Sequence, residues 1–147
     1  MLAHTLLLRK EITDQWEPRK TQIFAAEAIV PSIALVEDPD FFINKDVIWF
    51  VDNEGACSTL IRGACSPEDV TGKAELTQLI AMRLGARLWF EWIDSKANPS
   101  DGLSREGLGC PLFGPAATDA RHPKWHVAPD HTTRLIRAAS APLTSLV

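Results

Sequence analysis

The sequence predicts an α/β fold built on parallel strands, and three observations carry that prediction. Val47-Ile48-Trp49-Phe50-Val51 is an unbroken run of β-branched and aromatic residues, the pattern of a strand buried on both faces. Arg87–Ile93 is a second such stretch; Leu88, Phe90 and Trp92 face one way, and Trp89, Glu91 and Ile93 the other. Two helical patterns lie between them. Strand, helical crossover and strand make a βαβ unit, with parallel strands and a right-handed connection.

Bulk properties narrow the function classes. The chain has 147 residues, the size of a single domain. A hydrophobic content of 46% and a charged content of 23% are ordinary for a globular protein. The net charge of −4 argues against general electrostatic binding to nucleic acid. It leaves open nucleases that bind through bridging metal ions. The three cysteines, Cys57, Cys65 and Cys110, form no CxxC pair. That disfavours a zinc site or a disulfide framework and points to a reducing compartment, hence the cytoplasm or nucleus. No apolar run reaches the roughly 18 residues that a membrane span needs.

Taken in order, His4–Leu8 with Arg9–Ile12 suits a strand or a short helix; a strand running into a loop fits best. Residues 21–36 form a helix that is apolar nearly all round and therefore buried, with Thr21 as its N-cap. Glu27 is its one charged residue. A carboxylate in such surroundings is costly unless it is paired or metal-bound, or unless it reaches solvent at the helix edge. Pro31, four residues later, either kinks this helix at Glu27 or starts a second one.

Asp52 ends the strand Val47–Val51, and Asp52-Asn53-Glu54-Gly55 is helix-capping chemistry. The short helix that follows closes at Gly63. Asp52 is thus either a helix cap or a functional carboxylate, because open α/β sheets place their ligands at this edge. Ser66-Pro67-Glu68-Asp69 starts a longer helix that reaches Leu84 and ends at Gly85. Val70, Ala74, Thr77, Ala81 and Leu84 form its buried stripe, and Lys73 lies off it. After the strand Arg87–Ile93, Asn98-Pro99 marks another helix start, with Asp101 in the first turn. Topology brings Glu27, Asp52 and Asp101 to one edge of the sheet. Convergent carboxylates repel one another and persist chiefly where a divalent cation neutralises them. From Gly107 the chain is rich in glycine and proline and lacks clear periodicity. The division is therefore a domain over 1–107 and an irregular tail over 108–147.

Three motifs carry a resemblance. They are Gln22-Ile23 with Glu27 on a helix, Phe50-Val51-Asp52-Asn53 at a strand end, and Lys96, Asn98-Pro99, Asp101 and Leu103-Ser104-Arg105 after a further strand. In order and spacing they resemble the ribonuclease H domain of retrotransposon reverse-transcriptase polyproteins, over roughly residues 4–106. The resemblance implies a mixed five-stranded sheet with helices on both faces. It implies Mg2+-dependent hydrolysis of the RNA strand of RNA–DNA hybrids, with two ions in the intact family site. Glu27, Asp52 and Asp101 become metal ligands and catalytic residues. Asn53, Lys96, Asn98 and Arg105 become contacts to the hybrid, and the reverse-transcriptase portion of a parent polyprotein becomes a partner. It also implies an N-terminal truncation. The family's first strand bears an aspartate that bridges both metals, two strands upstream of Leu6–Ile12, and this sequence has no counterpart. With the first two strands missing, the strand Val47–Val51 presents an open edge, and the expectation is a weak or inactive enzyme. The alternative is a non-catalytic module that binds nucleic acid or a protein partner and keeps the fold.

Overall fold

The chain runs β1 (Thr5–Leu7), α1 (Lys10–Thr13), α2 (Ile23–Glu37), β2 (Asp46–Val51), α3 (Glu54–Arg62), α4 (Glu68–Arg83), β3 (Arg87–Trp92), α5 (Pro99–Glu106) and β4 (Lys124–His126). Short 3₁₀ turns at Pro39–Phe41 and Ser95–Ala97 precede β2 and α5. The computed structural model describes residues 5–7, 10–66, 68–106, 124–126, 134 and 137.

The fold is α/β, and the expected unit is present. β2 and β3 pair in parallel, from Asp46 opposite Arg87 to Val51 opposite Trp92, with α3 and α4 in the connection. In a parallel pair the partners share a face. Val47, Trp49, Val51, Leu88 and Phe90 turn inward against α3 and α4. Asp46, Ile48, Phe50, Arg87, Trp89 and Glu91 form the other face, and all six are exposed. The expectation that Val47–Val51 is buried on both faces is therefore wrong, and among the described residues helices cover one face only. An apolar run records hydrophobicity, not coverage. Among the described residues the helices that pack on this ribbon lie on its inner side. The sheet also departs from a mixed five-stranded one: the described strands form two separate parallel pairs, β2 with β3 and β1 with β4. On its side away from β3, β2 has no partner strand among the described residues.

α2 packs mainly on α4 and α3. It is one helix from Ile23 to Glu37, so Pro31 starts no second helix. Proline has no N–H to offer the Glu27 carbonyl. Ser32 instead donates its hydroxyl to the Ile29 carbonyl at 2.8 Å. Gln22, not Thr21, precedes the first turn, and its side chain makes no capping bond. Ile29, Leu35, Leu60, Val70 and Ile80 are almost wholly buried, each contributing about 1.5–3 kcal/mol relative to exposure.

The stripe read from α4 is buried at every position, Val70, Ala74, Thr77, Ala81 and Leu84. Lys73, placed off it, is buried too. Its ammonium lies 4.7 Å from the centre of the Trp16 ring and donates to the Asp69 carbonyl at 2.8 Å. Asp69 takes two bonds from Arg19, at 2.6 and 3.1 Å, and one from the Glu17 N–H at 3.3 Å. This cluster ties the segment ahead of α2 to the first turns of α4. The strand expected to reach Ile12 gives way to a helical turn at Lys10–Thr13, and Ile12 and Trp16 join the core.

α4 ends as the glycine predicts. Ala86 N–H bonds to the Ala81 carbonyl at 2.9 Å and Gly85 N–H to the Met82 carbonyl at 3.1 Å, the paired bonds of a Schellman end. Gly85 has φ 64°, and a Cβ there would collide with the Asn44 side chain. Asn44 N–H in turn bonds to the Leu84 carbonyl and Arg87 N–H to the Lys45 carbonyl, both at 2.9 Å, which sets β2 beside β3. Gly85→Ala is expected to cost on the order of 1–2 kcal/mol from handedness alone, with the collision added. Gly63 has φ 73° with nothing within 4 Å of the added Cβ. Thermal melts should therefore show a larger loss for Gly85→Ala than for Gly63→Ala.

The stretch after residue 107 contributes to the fold. β4 pairs in parallel with β1, Thr5 opposite Lys124, and Arg134 bonds to Glu37 at 2.9 Å. The sequence also allows a short helix around Thr132–Ala139, a stretch that lies mostly outside the described residues. Among the described residues no helix is long and apolar enough to cross a membrane.

Candidate functional site

The carboxyl end of β2 carries Asp52, and the Ile93 N–H bonds to the Val51 carbonyl at 3.1 Å. The end of β3 thus lies beside Asp52, as parallel pairing requires. The capping role falls one residue further on. Asn53 is the N-cap of α3, its side-chain oxygen accepting from the Ala56 N–H at 3.0 Å. Asp52 is not needed for that task.

Glu27 comes to this strand end because α2 and α3 approach closely. A Cβ on Gly55, in the first turn of α3, would lie 3.2 Å from the Phe24 ring and 3.3 Å from the Asn53 side-chain oxygen. Glu27 follows Phe24 by three residues and shares its face of α2. The Glu27 carboxyl is half-buried, and its Oε2 is buried without a hydrogen-bond partner. Burial pushes its pKa up to about 7, the negative charge of Asp52 adds to the rise, and the Asn53 backbone N–H pulls the other way. A buried acceptor left unpaired costs roughly 1–3 kcal/mol. The folded chain therefore favours a proton on Glu27.

Asp101 does not complete a triad. It sits in the first turn of α5, where Arg105, four residues on, donates to it at 3.0 Å. It is not among the charges that act on Glu27. Among the described residues no group of three acidic, histidine or cysteine side chains is placed to hold a metal ion. Topology brought three carboxylates to one edge; side-chain reach brings two together.

The four residues expected to contact a hybrid divide by role. Asn53 and Asn98 are caps; the Asn98 side-chain oxygen accepts from the Ser100 N–H at 3.0 Å and from its hydroxyl at 2.7 Å. Arg105 is engaged with Asp101. Lys96 is exposed in the 3₁₀ turn, its backbone N–H bonded to Asp94 at 2.8 Å. Gly55, which the sequence marks only as part of the capping stretch, allows the approach by its missing side chain; a glycine inside a helix start is the signal for it.

Comparison with protein-family models, with curated proteins and with solved structures finds no match.

Proposed function

We propose that this chain is a ribonuclease H-like domain of a retroelement, whose intact parent hydrolyses the RNA strand of RNA–DNA hybrids with Mg2+. The supporting observation is the Glu27–Asp52 pair: a buried carboxylate oxygen without a hydrogen-bond partner, on a carboxyl whose pKa is raised by the charge of the aspartate that follows a parallel strand. The order of helix, strand, crossover and strand agrees with the resemblance.

The donor set fits one Mg2+, which takes one or two protein carboxylates and keeps waters or substrate phosphates as its remaining ligands. Glu27 and Asp52 would hold it. They are too few for two ions. A bound Mg2+ supplies charge neutralisation and polarises a phosphoryl oxygen. The chain's residues position that charge: Asn53 fixes the turn that presents Asp52, and Gly55 lets Glu27 reach it. The 2′-hydroxyl is the group by which such a site distinguishes RNA from DNA.

A second reading is favoured by the pairing of Asp101 with Arg105: a non-catalytic remnant that binds nucleic acid or a partner such as the reverse-transcriptase portion of a polyprotein. A labelled RNA–DNA hybrid separates the two. Binding strengthened by Mg2+ and lost in Asp52→Asn is expected under both. Cleavage of the RNA strand that Asp52→Asn abolishes supports the nuclease, and binding without cleavage supports the remnant. Failure to bind either Mg2+ or hybrid sinks the nuclease and leaves only partner binding of the second reading.

A further inference from the structure

We infer that the exposed face of the β2–β3 ribbon is a contact surface for a second copy of this chain. The two ribbons pack face to face with strands antiparallel, about a two-fold axis through the Ile48–Trp89 row. This inference is independent of the proposed nuclease reading.

The face is apolar at its centre and charged at its ends. Ile48 is 65% exposed, Phe50 55% and Trp89 66%. All three lie on one face of the ribbon, Ile48 opposite Trp89 and Phe50 opposite Glu91. Along β3 the outward residues are Arg87, Trp89 and Glu91: cation, aromatic, anion. That order is complementary to its own reverse. A two-fold axis across the strands lays Trp89 on Trp89 and Ile48 on Ile48. It sets each Arg87 opposite Glu91 of the second copy.

The charges within one copy favour this arrangement. Arg87 is bonded to Asp46, with Nη2 2.8 Å from Oδ2. Glu91 accepts from the Trp89 indole N–H at 3.1 Å and has no cation partner among the described residues. The face therefore carries one more anion than cation, and the cross-strand axis gives Glu91 the cation it lacks. An axis along the strands instead lays Phe50 on Glu91 and leaves that carboxylate without one. Size sets the strength. Two six-residue strands present a face about 20 Å long and 10 Å wide, well below the roughly 800 Å² per partner of a stable interface. The dimer is weak and depends on salt.

Sedimentation velocity on the full 147-residue chain, up to millimolar concentration, tests the inference. A concentration-dependent monomer–dimer equilibrium is expected, weaker in high salt. Arg87→Glu and Glu91→Arg each place like charges opposite one another and should weaken association about tenfold or more. An equimolar mixture of the two variants pairs opposite charges at every contact and should restore it. Trp89→Thr, at the centre of the face and with no change of charge, should also weaken association at least about tenfold. That variant keeps the test valid should Arg87→Glu fail to fold. A monomer at every concentration overturns the inference. So does association that survives Trp89→Thr and both charge variants, which is the result that pairing through the free edge of β2 gives. With both charge variants folded, failure of the mixture to restore association overturns the antiparallel arrangement.

Discussion

Above about pH 8, Glu27→Gln is expected to be more stable than the parent protein, by on the order of 1–2 kcal/mol after allowance for solvent screening. The sign follows from linkage. Burial and the Asp52 charge raise the Glu27 pKa to about 7, so the folded state prefers the protonated carboxyl. That preference stabilises the fold fully below the ordinary carboxylate range, near pH 4.5, and is lost as pH rises through about 7. Glutamine imitates the protonated form at every pH. Thermal melts across this range should show the two proteins converging in acid and separating above neutrality. Mg2+ should narrow the gap by stabilising the parent protein alone. Equal melting temperatures at all pH values would mean that Glu27 reaches water freely.

Asp69→Ala should be the most damaging single truncation of a charge. Burial works to raise the Asp69 pKa, but the bonds from Arg19 and the charge of Lys73 outweigh it and hold the carboxyl below its usual range. Burial in turn pushes Lys73 down, against the opposing pull of Asp69. Removing Asp69 leaves two cations together in a mostly desolvated site. The cost is on the order of 2–3 kcal/mol, or roughly 5–10 °C in melting temperature for a chain of this size. A depressed carboxylate stabilises the fold above its ordinary pKa, near 3.8, and loses that effect as pH falls through the folded value. Asp69→Ala should therefore flatten the acid side of the stability profile, where Glu27→Gln flattens the alkaline side. Lys73→Met keeps the stem against Trp16 and should cost less than Asp69→Ala. Melts of the three variants against pH check all of this.

Much of the fold was legible because the signals were local. The α4 stripe, the glycines at 63 and 85 and the faces of β3 each follow from periodicity or from one left-handed residue. What was not legible depends on partners distant in sequence. Lys73 is polar by composition, and its burial depends on Trp16 and Arg19, which arrive from more than fifty positions away. The exposure of Ile48 and Phe50 depends on which side of the ribbon the helices cover, and strand composition does not encode that. At the site, order and spacing brought Glu27 and Asp52 to one strand end, and the charge of Asp52 acts on Glu27. Asp101 shows the limit of that reasoning. Topology fixes an edge to within an element, whereas a metal ligand must be placed to within an ångström or so. Its pairing with Arg105 at a separation of four was itself readable as a helix-face ion pair. Two neighbouring residues able to cap, Asp52 and Asn53, differ by a single register step, and that step decides which of them caps α3.

The central claim is that Glu27 and Asp52 act as one electrostatic unit able to hold a divalent cation. Carbon-13 NMR titration of the Glu27 side-chain carboxyl tests it most directly, in the parent protein and in Asp52→Asn, with and without Mg2+. The predicted result is a titration near pH 7 in the parent protein that moves toward the ordinary carboxylate range in Asp52→Asn. Mg2+ should also lower it in the parent protein, and much less in Asp52→Asn. A Glu27 carboxyl that titrates near 4.5, indifferent to both Asp52→Asn and Mg2+, would contradict the claim.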